Sequence, residues 1–507
     1  MAEIGQKPGN APGADDLESL ELPSLAPGKL MRHFGPGLVL MMTGIGTSHV
    51  VTAPVAGGRF EYALLWCIPV AYIFKYYGFE MAFRFTYATG RSMLDAYSTA
   101  WKKWPLWYVL ITTVIQSAIG QSGRLIAAAA VALYFFNQYL GLDIPGLGTD
   151  AELGVYALVI AVISVLVILR GRYKALELAT KIAAGFLIVS TIGVYIVEPA
   201  PVSGLVYFFE LAAPEGSWLI IASFLGLLPT GIDVSLQASE WGKAKRAGMA
   251  RIREQLDAEG ITRAFDPFTG SRADLSVDTD KLPEHAREYC RRWFTIGLMD
   301  FRAGHVISFV LATVFLLLAA VWLYPSEVAG TAVMGEIARI FTDSVGPGMM
   351  LVFLVGAFAA TFSTAFNYFD GWPRVIAACC RNLFRSTSGL RGIAHRDLDD
   401  ERRSRWYSEY NIYRIAMLFS LIASVAIVTG VPEPITLVLI ASALAYFVAP
   451  VIYFLNLYYC FKIIPKHDKA FYPSTFATWF SGISLVVFTG MSLVLIAAEV
   501  FEIELFG

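Results

Sequence analysis

Long apolar runs separated by short polar segments dominate the chain. A membrane-spanning helix needs about 20 mostly apolar residues. Eleven runs meet that length: 35–58, 61–86, 106–136, 153–170, 175–197, 217–240, 300–323, 347–370, 411–430, 434–461 and 476–500. Apolar residues fall on every face within each run, as in helices buried in a bundle or in lipid. Length and flanking polarity therefore define the spans. The pattern predicts an all-α polytopic membrane protein of about 11 transmembrane helices.

Two runs are interrupted. The first span carries Gly44, Gly46, Thr47, Ser48 and His49 near its middle, with Pro54 beyond. The sixth carries Pro229, Thr230, Gly231 and Asp233 near its middle. Gly and Pro weaken a helix, and small hydroxyls bond the backbone groups they release. Such backbone is tolerated in a membrane only where it is buried in protein or lines a watery cavity. Span one opens a set of five helices and span six opens a second set of five. Because five is odd, the second set enters from the opposite side, which predicts a 5+5 inverted repeat with broken helices 1 and 6 meeting at a central site.

Charged residues set the orientation. Arg84, Arg91, Lys102 and Lys103 flank the loop after span two, whereas 138–152 holds Asp143, Asp150 and Glu152 and no base. Arg170, Arg172 and Lys174 follow span four, and 198–216 has three Glu and no base. The segment 371–410 is Arg-rich, and Glu499, Glu502 and Glu504 end the chain. Basic loops stay inside, so the N-terminus is expected inside and the C-terminus outside, in a bacterial-type cytoplasmic (inner) membrane. The expected organisation is a disordered cytoplasmic tail (1–33), a first five-helix repeat (34–197), a second (217–461) with a charged cytoplasmic insertion at 241–292, and an eleventh helix with an extracytoplasmic C-terminus (474–507).

Composition narrows the function. Of the 507 residues, 56% are hydrophobic and only 16% charged, against roughly 25% charged in soluble proteins. Mean hydropathy is +0.58. A net charge of −2 gives no field for a polyanion, so nucleic acid is not an expected partner. The five cysteines, Cys67, Cys290, Cys379, Cys380 and Cys460, form neither a disulfide framework nor a zinc spacing. No ATP-binding loop, HExxH or GxSxG motif is present. The chain is read as a non-enzyme without a cofactor, whose partners are the bilayer and a small ion or solute.

Candidate chemistry gathers at the interruptions. His49 can ligate a metal, carry a proton, or cap broken backbone. Asp233, an acid inside a span, is a cation ligand or the partner of a buried base. Arg124 sits in apolar surroundings and needs such a partner, and Gln121 lies one turn away. Thr47, Ser48 and Thr230 offer hydroxyls and carbonyls. Ser363, Thr364 and Asn367 share one face of span eight. Gln116 and Lys75 carry less weight as path-lining groups. Asp300, Arg302 and His305, like Asp370 and Arg374, read as interfacial ion-pair clusters or gates.

These residues carry a resemblance. Gly35-Pro36-Gly37 and the Tyr62-to-Trp66 segment are similar to the first helix of the Nramp family of divalent metal-ion transporters. Leu228-Pro229-Thr230 lies where that family has Met-Pro-His, and 356–372 looks like its eighth helix. The resemblance implies a LeuT-type fold and secondary transport of a divalent metal. It also implies an altered site. The family's metal-binding Asp falls on Gly46, its Asn on His49, its metal-binding Met on Leu228 and its His on Thr230. Two acids of its third helix, associated with proton movement, fall on Gln121 and Arg124. The expected binding set is therefore Gly46, Thr47, His49, Leu228, Thr230, Asp233 and Asn367. His49 and Asp233 are its metal ligands, Gln121 and Arg124 mark an ion pair or proton path, and proton coupling is not expected. Two alternatives stay open: a transporter of a small organic solute or anion, for which Gly46 makes room, and a non-transporting membrane receptor.

Overall fold

The computed structural model describes residues 19–170, 188–258, 275–326, 333–343, 345–384 and 408–501, with 17, 185 and 186. Residues 1–16 and 18, part of the fifth span (171–184 and 187), the middle of the insertion (259–274), residues 327–332 and 344, the Arg-rich loop (385–407) and the last six residues lie outside this set. Among the described residues the regular structure is helical. The helices are α1 (Pro36–Phe60), α2 (Cys67–Thr89), α3 (Trp101–Tyr139), α4 (Thr149–Leu169) and α5 (Ile188–Val197). A split sixth helix follows, α6a (Trp218–Leu227) and α6b (Val234–Ala244). The remainder are α7 (Glu284–Trp322), α8 (Met349–Phe384), α9 (Glu409–Gly430), α10 (Pro434–Ile463) and α11 (Thr475–Phe501). Among the described residues every predicted span meets helix, the fifth being described only in part and the sixth split in two. The largest boundary shift is in α7, which begins at Glu284, well inside the expected insertion.

Burial ranks the helices. In its most apolar window α1 is 94% buried, whereas α9 and α11 are 28% buried. The outer faces carry bare aliphatic side chains such as Leu158, Ile415, Leu418, Val486 and Leu493, as expected where lipid is the solvent. Trp101, Trp104 and Trp107 stand exposed around the start of α3, an interfacial aromatic girdle.

Glycine lets α1 lie against its neighbours backbone to backbone. A side chain at Gly37 would strike the main chain of Asp300 and Phe301 in α7, and one at Gly57 would strike Leu316 and Ala319 of the same helix. Gly44 abuts the Pro229 carbonyl, and Gly46 abuts the Ala360 carbonyl and Thr364 Oγ1 of α8.

Ion pairs tie one end of the bundle, the end where α1 begins. Asp95, after α2, accepts from Lys243 at 2.8 Å, Arg381 at 3.1 Å and Asn382 at 3.2 Å. Arg381 also pairs with Glu409 at 2.5 Å. Burial pushes the Asp95 carboxyl up, but Lys243, Arg381 and Arg91 outweigh it and hold it well below the usual carboxylate range. Within the expected disordered tail Leu17, Leu20 and Pro23 are buried, whereas residues 25–29 are exposed. Leu20 is buried and its carbonyl accepts from His285 at 2.7 Å.

Candidate functional site

The two interruptions meet, but they differ in form. In α1 the helix does not unwind. Ile45–Thr52 is wound as a π-helix, and the Ala53 N–H reaches back to the Ser48 carbonyl. A π segment widens the turn and absorbs an irregular position, and it ends just before Pro54. All eight of its residues are buried. The expected broken helix 1 is therefore a continuous helix with loosened winding.

The sixth helix does break. Residues 228–233 separate α6a from α6b, and Leu228 is extended (φ −88°, ψ 131°). Pro229 has no N–H to give the carbonyl four residues earlier, on Leu225. Unwinding then strips the following carbonyls of their partners. Lys75 of α2 takes them up. Its ammonium donates to the carbonyls of Leu225 at 3.0 Å, Gly226 at 2.8 Å, Leu228 at 2.7 Å and Thr230 at 2.7 Å. Lys75 is 0% exposed. Sequence reasoning gave it little weight. The available signal is a base inside a predicted span, on a helix that also carries Glu80 and Arg84.

His49 belongs to a different network. Its Nδ1 lies 2.7 Å from Ser48 Oγ, and its Nε2 lies 2.9 Å from the Ser308 carbonyl and 3.1 Å from Tyr72 Oη. Both ring nitrogens are thus engaged with α1, α2 and α7. Asp233 faces the other way. It accepts from Trp372 Nε1 at 3.2 Å. The two expected metal ligands share no bonded partner, and among the described residues no cluster of three His, Cys, Asp or Glu forms at the breaks. The cluster that does form, Asp278, Asp280 and His467, lies at the partly exposed, charged end.

Arg124 does not pair directly with Asp233. Its guanidinium lies over the rings of Tyr368 (4.2 Å) and Trp372 (5.0 Å), and bonds the Gly120 carbonyl and Tyr368 Oη. Tyr368 Oη also meets Thr230 Oγ1 at 3.0 Å. Trp372 therefore touches both charges, and Tyr368 links Arg124 to the break. Gln121 gives its Nε2 to the Ala365 carbonyl at 3.0 Å. The side-chain amides of Gln116 and Gln237 and the hydroxyl of Thr47 are buried without hydrogen-bond partners. Gln116 borders Gly120 beside Arg124 and Trp372, and Gln237 borders Gly371. The three buried charges around the break are thus two bases and one acid.

The remaining expected residues make other contacts. Asn367 bonds Thr43 Oγ1 at 3.3 Å and ties α8 to α1. Gly46 makes no room, because α8 fills the space a side chain there would need. Asp300 is not part of an ion-pair gate. It accepts from the N–H groups of Gly35, Gly37 and Leu38 at 2.8–3.0 Å and caps the start of α1. Arg302 reaches Tyr76 and Glu80, and His305 bonds the Tyr72 carbonyl. Asp370 and Arg374 do form the expected pair, at 2.7 Å, with Trp241 and Tyr413 also on Asp370.

Comparison with known proteins places this geometry. The sequence profile of natural resistance-associated macrophage protein-like (Nramp) proteins matches residues 37–498. Uncharacterized protein PM0681 of Pasteurella multocida is 21% identical over 475 residues, covering 92% of each chain. The fold is similar to that of the Eremococcus coleocola manganese transporter (12% identity, TM-score 0.58, 97% of this chain and 92% of that one). It is also similar to Mhp1, a nucleobase-cation-symport-1 family transporter solved with bromovinylhydantoin bound (11% identity, TM-score 0.52, 94% of each chain).

Proposed function

This chain belongs to the Nramp family, and from that premise we propose that it is a secondary transporter carrying a hard divalent cation by alternating access around the α6 break. One observation carries the reading. Four carbonyl oxygens released by the break converge within 2.7–3.0 Å of a single buried cationic nitrogen, so the break is chemically a cation site. Its donors are oxygens: backbone carbonyls, with the Asp233 carboxylate alongside. Leu228 offers no thioether and Gly46 no acid. An all-oxygen set suits magnesium or manganese better than softer ions. Gln121 and Arg124 offer no carboxylate to hand a proton along α3, so the cation moves without proton coupling on this route.

The test is uptake by purified protein in liposomes, with dyes for manganese and magnesium and an internal pH probe. Saturable entry without acidification supports the reading. Acidification that tracks metal entry sinks its uncoupled form, and no entry of either ion into folded protein sinks the metal. A second reading, a small organic anion or zwitterion, is favoured by Arg124 and the unpartnered amides of Gln116 and Gln237. A thermal-shift screen of amino acids and carboxylates addresses it.

A further inference from the structure

A lysine with no carboxylate among its bonded partners, sealed inside a membrane bundle, demands an account. Moving an ammonium out of water is costly even after relaxation. A hydroxyl or a water would satisfy stray carbonyls without that cost. What the break gains from Lys75 is positive charge at the carbonyl end of α6a, where the helix dipole is negative. Phe79 and Phe488, each with its ring centre 6.0 Å from Nζ, wall the ammonium in. An ammonium has three protons and here has four acceptors, so it sits in the fan of oxygens as an ion does, with at least one N–H shared.

We propose that the Lys75 ammonium is the resting occupant of the cation site at the α6 break, and that the transported cation and this ammonium replace one another on the same carbonyls. The proposal rests on the break being the cargo site. Two arguments support it. The first is charge. A dication on these oxygens beside Lys75 and Arg124 would face two fixed bases with only Asp233 in compensation, and like charges held close in a low dielectric repel strongly. Cargo and ammonium therefore exclude each other. The second is distance. Direct metal–oxygen bonds run about 2.0–2.6 Å, shorter than the 2.7–3.0 Å fan around Nζ. Exchange thus draws the break inward by a few tenths of an ångström, a movement that unwound backbone can make and a closed helix cannot. The empty carrier then returns with its carbonyls already satisfied and needs no second ion to do so.

The experiment uses full-length protein with Lys75→Ala and Lys75→Met, and methylammonium as a soluble copy of the missing group. Lys75→Ala is expected to lose thermal stability and to regain it saturably with methylammonium, but not with tetramethylammonium, which has no N–H. Manganese is expected to compete with that rescue. Lys75→Met is expected to bind manganese tighter by about tenfold or more and to release it more slowly in liposomes. If Lys75→Met fails to fold, Lys75→Ala purified in methylammonium carries the same competition test. Absence of rescue in folded Lys75→Ala, or unchanged manganese affinity and uptake in Lys75→Met, overturns the proposal while leaving transport intact. Wild-type protein that carries neither manganese nor magnesium instead overturns the proposed cargo, and rescue by methylammonium then still supports occupancy by the ammonium.

Discussion

Helices α1 and α6 hold matching places at the heads of the two five-helix sets, and each departs from α geometry near its middle, in opposite ways. α1 stays wound. Its π segment keeps the main chain bonded, and Ser48 and His49 spend their polar atoms on near neighbours. α6 unwinds, and its released carbonyls are met by a charge imported from α2. The proline positions explain the difference. Pro54 follows a wide turn that tolerates a missing N–H, whereas Pro229 ends α6a outright. Two equivalent interruptions have thus become one packing joint and one joint held by a buried charge.

The largest expected effect tests the packing joint. Gly46→Asp restores an acid to α1 where α8 leaves no space. Overpacking costs about 1–3 kcal/mol and an unpaired buried charge adds more. The variant is expected to aggregate or melt far below wild type on size-exclusion and thermal assays. A folded Gly46→Asp protein that binds manganese would erase the distinction between the two joints. Next is a contrast between Asp233 and His49. Asp233→Asn is expected to weaken manganese uptake by about 100-fold, the upper end of what even outer-shell partners deliver. His49→Ala is expected to lower the melting temperature, through about 1–3 kcal/mol of lost buried hydrogen bonding, with cargo affinity unchanged. The reverse pattern would move the ion from α6 to α1.

A smaller effect is expected at the cap. Asp300→Ala removes the acceptor for three N–H groups at the start of α1, worth about 0.5–2 kcal/mol for a cap. Faster hydrogen exchange confined to the first turn of α1 would match it. The smallest concerns pH. The folded Asp95 carboxyl lies below its ordinary value of 3.8. Its contribution is therefore complete above that value and is lost as pH falls below it, through the folded value. Asp95→Asn is expected to lower the melting temperature at about pH 7 and to flatten the acid decline below about pH 4. An unchanged decline would assign it to other carboxylates.

The spans were legible because a membrane sets helix length, and the places of the two interruptions were legible because Gly and Pro mark them. The form of the interruptions was not. Whether Gly46 opens a site or closes a contact depends on α8, more than 300 residues along the chain. The bond from Lys75 to Leu225 spans 150 residues, and the cap from Asp300 to Gly37 spans 263. Asp233 and Arg124 looked like partners because each lacked one nearby. Trp372, which touches both, carried no charge to give it away. A lone histidine in a span is conspicuous in the sequence, but its partners on α2 and α7 are not.

The glycines of α1 have a mechanical consequence. Gly37 and Gly57 clamp it to α7 at two levels, 20 residues and so roughly 30 Å apart. Two clamps that far apart prevent one rod from tilting against the other, so α1 and α7 turn as a single strut. Gly44 and Gly46, by contrast, meet α6 and α8. On its other side the strut is held by α8 at Thr43 and Gly46 and touches the α6 break at Gly44, so a change in the winding of the break bears directly on α1 and, through it, on α7.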